Sequence, residues 1–279
     1  MAALKQRSPK EMATQEDDED YINPPEMILP DEEDEGKSLT TLGDGAVTQQ
    51  LQQHCIRSIE STVVIRQLPS EGISFQLWPA ATTLVTLLEN HRRYPNKNLL
   101  TDLSTSGGND DRKLKILELG SGTGLVGISA AVMFGANVTV TDLPQVVPNL
   151  QFNVNANADV VARKGGTVNV APLRWGEDDD VKVIGREFDI VLASDVVYHA
   201  HLFEPLIQTL RFLFNGGCEK MAFIMAHSRR WKKESVFFKK ANKFFDVETI
   251  HTEPPKEGSR LGVIVYVFVG KKAKMLKGV

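Results

Sequence analysis

Gly120, Gly122 and Gly124 stand at alternate positions directly after the apolar run Leu114 to Leu119, and Glu118 is the one acid inside that run. Glycines so placed open backbone angles closed to other residues and leave amide groups bare, as a turn wrapped around a ligand requires. Asp142 closes a second apolar run, Asn137 to Thr141, where a carboxylate accepts hydrogen bonds from ribose hydroxyls. These residues describe a cleft for a ribose-bearing cofactor. Glu118 adds a statement about charge: a carboxylate at the end of the first run repels a pyrophosphate and attracts an ammonium or a sulfonium. Asp195 follows a third buried run, Phe188 to Ala193, and so emerges at the same edge, where an acceptor molecule would arrive. Its plainer reading is an N-cap for the helix that follows.

Such residues meet only if strand ends are brought side by side, and the hydrophobic pattern supplies the means. Strands are predicted from Leu114 to Leu119, Asn137 to Thr141, Thr167 to Val170, Phe188 to Ala193 and Met221 to Ala226. Helices are predicted from Leu125 onward and over Gln145 to Asn157, Leu202 to Phe214 and Lys232 to Phe245. This alternation makes an α/β chain with a doubly wound, mostly parallel, Rossmann-like sheet whose ligands lie beyond the carboxyl ends of its strands. Phe245 to Ile250 and Gly262 to Val269 read as consecutive strands with no helix between them, so one of the pair must run antiparallel to its neighbours. Upstream, Thr62 to Arg66 and Ile73 to Trp78 read as a hairpin arm leading into a helix over Ala80 to Asn90.

Composition bounds the partners. The chain has 279 residues, 42% of them hydrophobic, with a net charge of -4. That is enough for one sizeable domain, expected over residues 51–279. Residues 1–50 carry the acidic runs Glu16 to Asp20 and Asp31 to Glu35 and read as a disordered, solvated leader; a docking element is the alternative. Residues 101–112, rich in Ser, Gly, Asn and Asp, read as a mobile surface loop. The absence of an apolar signal core or membrane-length run leads to an expectation of no membrane partner and a cytoplasmic, or also nuclear, location. Cys55 and Cys218 stand far apart and predict neither a disulfide framework nor a zinc site, and His199 with His201 is too small a set for a metal. No metal is expected. The stretch Arg229 to Lys243, interleaved with Trp231, Phe237 and Phe238, reads as an amphipathic helix with a solvated basic face; a nucleic-acid surface is the rival.

Gly122 to Gly127 also satisfies the dinucleotide fingerprint, which keeps a nicotinamide enzyme in contention. Taken as an ordered set, however, Leu77-Trp78-Pro79-Ala80-Ala81, Leu117-Glu118-Leu119-Gly120-Ser121-Gly122-Thr123-Gly124, Thr141-Asp142, Leu173-Arg174-Trp175-Gly176 and Ala193-Ser194-Asp195-Val196-Val197-Tyr198 resemble the family 16 methyltransferases. These are seven-β-strand protein-lysine methyltransferases, and the likeness is to the group around methyltransferase-like protein 21. It covers about Thr62 to Val269. The resemblance implies S-adenosyl-L-methionine as cofactor, with Gly120, Ser121 and Gly122 against its amino-acid portion and Asp142 on its ribose. It further implies Trp175 on the adenine, the Ser194 backbone facing the cofactor, and Trp78 beside the cofactor and the acceptor entrance. Asp195 and Tyr198 would then bind and shape the acceptor. Trp175 as a core residue and Trp78 as a hydrophobic plug remain the alternatives. The implied partner is a protein substrate, such as a chaperone or a translation factor, met by a monomeric enzyme. A small-molecule or nucleic-acid methyltransferase and a catalytically silent binding module are the competing functions.

Overall fold

The computed structural model describes residues 37–40, 49–93, 112–215, 221–230, 234–255 and 261–271. Most of the expected leader, nearly all of the Ser/Gly-rich loop, Cys218 and Trp231 lie outside them.

Seven strands form the central sheet: β4 (Lys115–Leu119), β5 (Asn137–Asp142), β6 (Thr167–Pro172), β7 (Ile190–Ser194), β8 (Ala222–Ser228), β9 (Phe245–Glu253) and β10 (Val263–Gly270). Their order is β6-β5-β4-β7-β8-β10-β9. Pairing is parallel from β6 to β8, and β10 runs antiparallel to both β8 and β9. The reversed strand expected from the unbroken pair at the chain's end is therefore β10, inserted one place in from the edge. Alternation along β4 divides the core between two faces. Ile116 joins a cluster with α1 (Pro79–Arg93) and α2 (Leu125–Phe134), whereas Leu117 and Leu119 join α6 (Phe203–Phe214) and α7 (Ser235–Ala241) on the other. The parallel order of β5, β4 and β7 sets the ends of all three at one edge, which is what brings Gly120, Asp142 and Asp195 together.

The arm departs from expectation. It is a three-stranded antiparallel sheet of β1 (Lys37–Thr40), β2 (Gln49–Ile56) and β3 (Ser61–Gln67), so part of the segment read as leader is strand. Ile73–Phe75 is a 3-10 turn rather than a strand. Gly72 turns the chain there with φ 120°, Leu68 N–H closes the loop on Phe75 O at 2.9 Å, and the Gln67 side chain accepts from Leu77 N–H at 2.6 Å.

A row of asparagines fastens this arm to the domain. Asn149, Asn153 and Asn157 recur every fourth residue along α3 (Val147–Ala156) and its end, which stacks them on one face. Asn157 accepts from Val64 N–H at 2.9 Å and donates to Val64 O at 2.8 Å; Asn153 does the same for Arg66 at 2.8 and 3.0 Å. Each amide thus replaces a neighbouring strand for β3, whose free edge would otherwise leave polar groups unpaired.

Other boundaries shift by local chemistry. The helix read over Gln145 to Asn157 is α3 followed by a separate α4 (Ala158–Arg163). An additional α5 (Asp178–Ile184) begins with three aspartates, favoured in a first turn where backbone N–H groups point outward. The basic helix contracts to α7, and Phe245 opens β9 instead of closing that helix.

Candidate functional site

The turn after β4 is bent by Gly120, Gly122 and Gly124, all at positive φ (61°, 53° and 84°). Space, as well as angle, requires them. A Cβ on Gly120 would come within 2.9 Å of Trp175 Cζ2, and one on Gly122 within 3.0 Å of the Ser74 carbonyl. The turn therefore lies between the Trp175 indole and the arm's 3-10 turn. Ser121 N–H donates to Thr141 O at 2.9 Å, and Thr141 N–H donates to Ser121 Oγ at 3.0 Å, which ties the turn to the end of β5.

Asp142 locks the same pair of elements with its carboxylate, accepting from Gly122 N–H and from Leu143 N–H, each at 2.7 Å. Burial pushes its pKa upward, while these two bonds pull the other way. It is brought to the glycine turn as expected from its place at the strand end.

Glu118 lies deeper than its sequence position suggests. Its side chain is 0% exposed and points under α2, where Oε2 accepts from Gly127 N–H at 2.9 Å. Gly127 is the close-packing glycine here: a Cβ on it would fall 2.3 Å from Val140 Cγ1. Burial lifts the Glu118 pKa to about 8, so the group is mostly protonated at neutral pH. Burial thus opposes the standing negative charge that the sequence led us to expect there. Glu118 supports the turn from beneath, and its Oε1 is buried without a hydrogen-bond partner in the structure.

Trp175, half-buried, packs against the Leu119 and Leu206 side of the core with its six-membered ring over Gly120. It thus touches both the core and the glycine turn. Ser194 ends β7 beside Ala226 and is half-buried. Val196 Cγ1 reaches 3.0 Å from the Gly120 Cβ position, so the chain after β7 passes over the glycine turn. Tyr198 is half-buried on this crossing; burial raises its pKa, and the Asp142 carboxylate adds to the rise.

Asp195 caps no helix. It adopts φ 54°, a left-handed angle uncommon for a non-glycine residue, and its carboxylate turns toward β8. Oδ1 accepts from Ser228 N–H at 2.8 Å and Oδ2 from Ser228 Oγ at 3.0 Å. Arg230 grips both oxygens, at 3.0 and 2.9 Å, in a buried bidentate pair. The same guanidinium lies 5.3 Å from the Trp78 ring centre. Trp78, whose indole N–H donates to Ile73 O at 2.9 Å, is held by the arm's own turn. Behind this group His227 Nε2 and Glu234 Oε2 are 2.9 Å apart, and Glu234 accepts from Arg230 N–H at 3.2 Å.

Arg230 and Ser228 are the site residues that sequence reasoning missed. Arg230 belongs to the basic stretch read as a solvated face, but its side chain is 6% exposed and faces inward. Spacing held no signal for a pair formed across 35 positions of chain. Among the described residues no group of three or more metal-ligating side chains is assembled, and no helix is long and apolar enough to cross a membrane.

The residues present fit the cofactor that the motifs implied. A glycine turn leaves its backbone open to close approach, a buried carboxyl oxygen beneath it lacks a partner, and a second carboxylate closes the next strand. This set suits a ribose-bearing ligand whose amino-acid portion packs closely against the turn.

Comparison with known proteins agrees. A family model described as lysine methyltransferase matches residues 58–244. Protein-lysine methyltransferase METTL21E of Mus musculus is 34% identical over 181 residues, 64% of this chain and 66% of that protein. Protein N-lysine methyltransferase METTL21A of Danio rerio is 31% identical over 186 residues, covering 67% of this chain and 75% of the relative. EEF1A lysine methyltransferase 3 of Mus musculus is 37% identical over 142 residues, covering 51% of each chain. The alignments thus span half to three-quarters of these relatives' lengths.

Proposed function

Because this chain belongs to the lysine methyltransferase family, we propose that it transfers methyl groups from S-adenosyl-L-methionine to lysine side chains of protein substrates. The observation that carries the reading is the Gly122 N–H to Asp142 carboxylate bond, which fixes the glycine turn against a ribose-accepting acid at the sheet edge that also carries Asp195. The cofactor supplies a methyl on positively charged sulfur, which keeps the S–C electron pair as the lysine nitrogen's lone pair takes the carbon.

In this reading the backbone of Gly120, Ser121 and Gly122 lies against the amino-acid end, Asp142 receives the ribose hydroxyls, and Trp175 offers a flat apolar face to the base. Trp78 and Tyr198 wall the acceptor entrance. Asp195 orients the acceptor nitrogen. A lysine with an ordinary pKa near 10.4 must shed its proton before it can attack, and burial in this edge, beside the positively charged sulfonium, would favour the neutral amine. With the lone pair freed and aligned, positioning does most of the remaining work.

For the substrate itself we infer a folded protein, and the finer expectation of a translation factor or chaperone draws on the relative named for EEF1A. Of the basic stretch that gave a nucleic-acid acceptor its sequence support, Arg230 is spent on Asp195. The test is to incubate the purified protein with lysate and methyl-labelled cofactor, then digest with protease or nuclease and map the label by mass spectrometry. Label on lysine, released by protease, is expected; label surviving protease, or residing in nucleic acid, overturns the proposal.

A further inference from the structure

Resting on that reading, we propose that Arg230 occupies the acceptor lysine's seat, and that the acceptor reaches Asp195 by displacing this guanidinium from the carboxylate and from the face of Trp78. The occupant's chemistry carries the argument. An aliphatic stem ending in a cation, paired with a carboxylate and set over an aromatic ring, is also the description of an incoming lysine. Both Asp195 oxygens bond to Arg230, at 3.0 and 2.9 Å, and Ser228 N–H and Oγ take a further position on each. Ser228 is part of β8 and fixes the carboxylate; Arg230 follows the strand's end and is the partner able to leave.

Displacement sets specificity. A guanidinium fork holds a carboxylate at two points, whereas a lysine nitrogen engages it as a single charge or as a neutral donor. A free amine is therefore a poor competitor for Asp195. A lysine carried by a docked protein is a good one, because binding energy gained elsewhere on the surface is spent on moving Arg230 aside. The seat accordingly rejects small amines and unanchored lysines, and selects the side chain that a docked partner holds in place. Arg230 is on this view a specificity-determining residue, with the arm contributing through Trp78.

Butylamine, a lysine side chain without its backbone, is the probe. Protein saturated with S-adenosylhomocysteine is titrated with butylamine by calorimetry, for the parent chain, R230A and R230A with D195N. If Arg230 leaves its seat only about a tenth of the time, its removal tightens butylamine binding about 10-fold. D195N should abolish that gain, and methylguanidinium should compete with butylamine in R230A. With S-adenosyl-L-methionine in place of the homocysteine product, R230A should release N-methylbutylamine, read by mass spectrometry. Equal butylamine affinity in parent and R230A, indifference to D195N, or bound butylamine that is never methylated while lysate proteins are labelled, each overturns the proposal. Failure of the parent to bind S-adenosylhomocysteine would instead remove the methyltransferase reading, and this inference with it. Should R230A not fold, R230Q takes its place. Should neither fold, the parent decides: the Arg230 Nε–H resonance must move as butylamine saturates the site, and an unmoved resonance refutes displacement.

Discussion

Replacing Glu118 by glutamine should remove a pH-dependent loss of stability that the parent chain carries. The side chain is fully buried, and burial raises its pKa from 4.5 to about 8. The folded state thus holds a proton that the unfolded chain releases at much lower pH, so between these two values the native state binds more protons. Stability then falls as pH rises, the reverse of an acid stabilised by an ion pair. Each unit of separation is worth about 1.4 kcal/mol. The contribution of Glu118 is nearly level below pH 4.5, declines by up to about 1.4 kcal/mol per pH unit towards about 8, and levels off above. Its total reaches on the order of 5 kcal/mol as a ceiling. Glutamine keeps the acceptor for Gly127 N–H and has nothing to ionise. Urea unfolding of parent and E118Q at several values between pH 5.5 and 8.5 isolates this group, because other titrations cancel in the difference. The stability of E118Q relative to the parent should climb steadily with pH. A difference that stays flat across the range, or that moves in favour of the parent, would refute the burial argument.

Asp142→Asn should weaken S-adenosylhomocysteine binding about 10- to 100-fold by calorimetry, because a charged acceptor for Gly122 N–H and Leu143 N–H is lost; unchanged affinity would remove Asp142 from the site. Asn153→Ala strips partners from Arg66 N–H, Arg66 O and Thr123 O and should cost about 3 kcal/mol in urea unfolding. A loss below about 1 kcal/mol would mean that the asparagine row does not hold the arm. Gly127→Ala forces a Cβ against Val140 Cγ1 and Glu118 Oε2, at 2.3 and 2.7 Å, and should lower stability by about 2 kcal/mol or more, measured the same way; neutral behaviour would show that α2 can ride up from the sheet.

How much of this was visible in the residues depends on how local the determining interaction is. Strands β4, β5 and β7 are short apolar runs ended by Gly or Asp, and both signals are contained within a few neighbours. The reversed β10 was legible because two strands follow without room for a crossover helix. The arm was misread for the opposite reason. Ile73 to Trp78 has strand composition, but Gly72 and the Leu68 to Phe75 bond fold it into a turn, and β2, rich in glutamine, is a strand because β1 and β3 flank it. The asparagine row did leave a trace, three amides at helical spacing, which a reading of α3 as simply amphipathic passes over.

The site divides along the same line, and the division bears on how it works. The placement of Gly120, Gly122 and Asp142 was legible because backbone angle or position at a strand end sets it. Asp195 was legible in place but not in state, since its partner Arg230 arrives from the next strand. Asn153 makes the two halves one structure: its amide donates both to Arg66 O in the arm and, at 2.9 Å, to Thr123 O in the glycine turn. The arm in turn carries Ser74 over Gly122 and Trp78 to Arg230. On the proposed function, a ligand that reshapes the glycine turn pulls on the element beside the acceptor seat, and a lysine that displaces Arg230 pulls on the element beside the cofactor cleft. Linkage makes such coupling reciprocal, so whatever factor a filled cofactor cleft applies to acceptor affinity at Asp195, the acceptor applies to the cofactor.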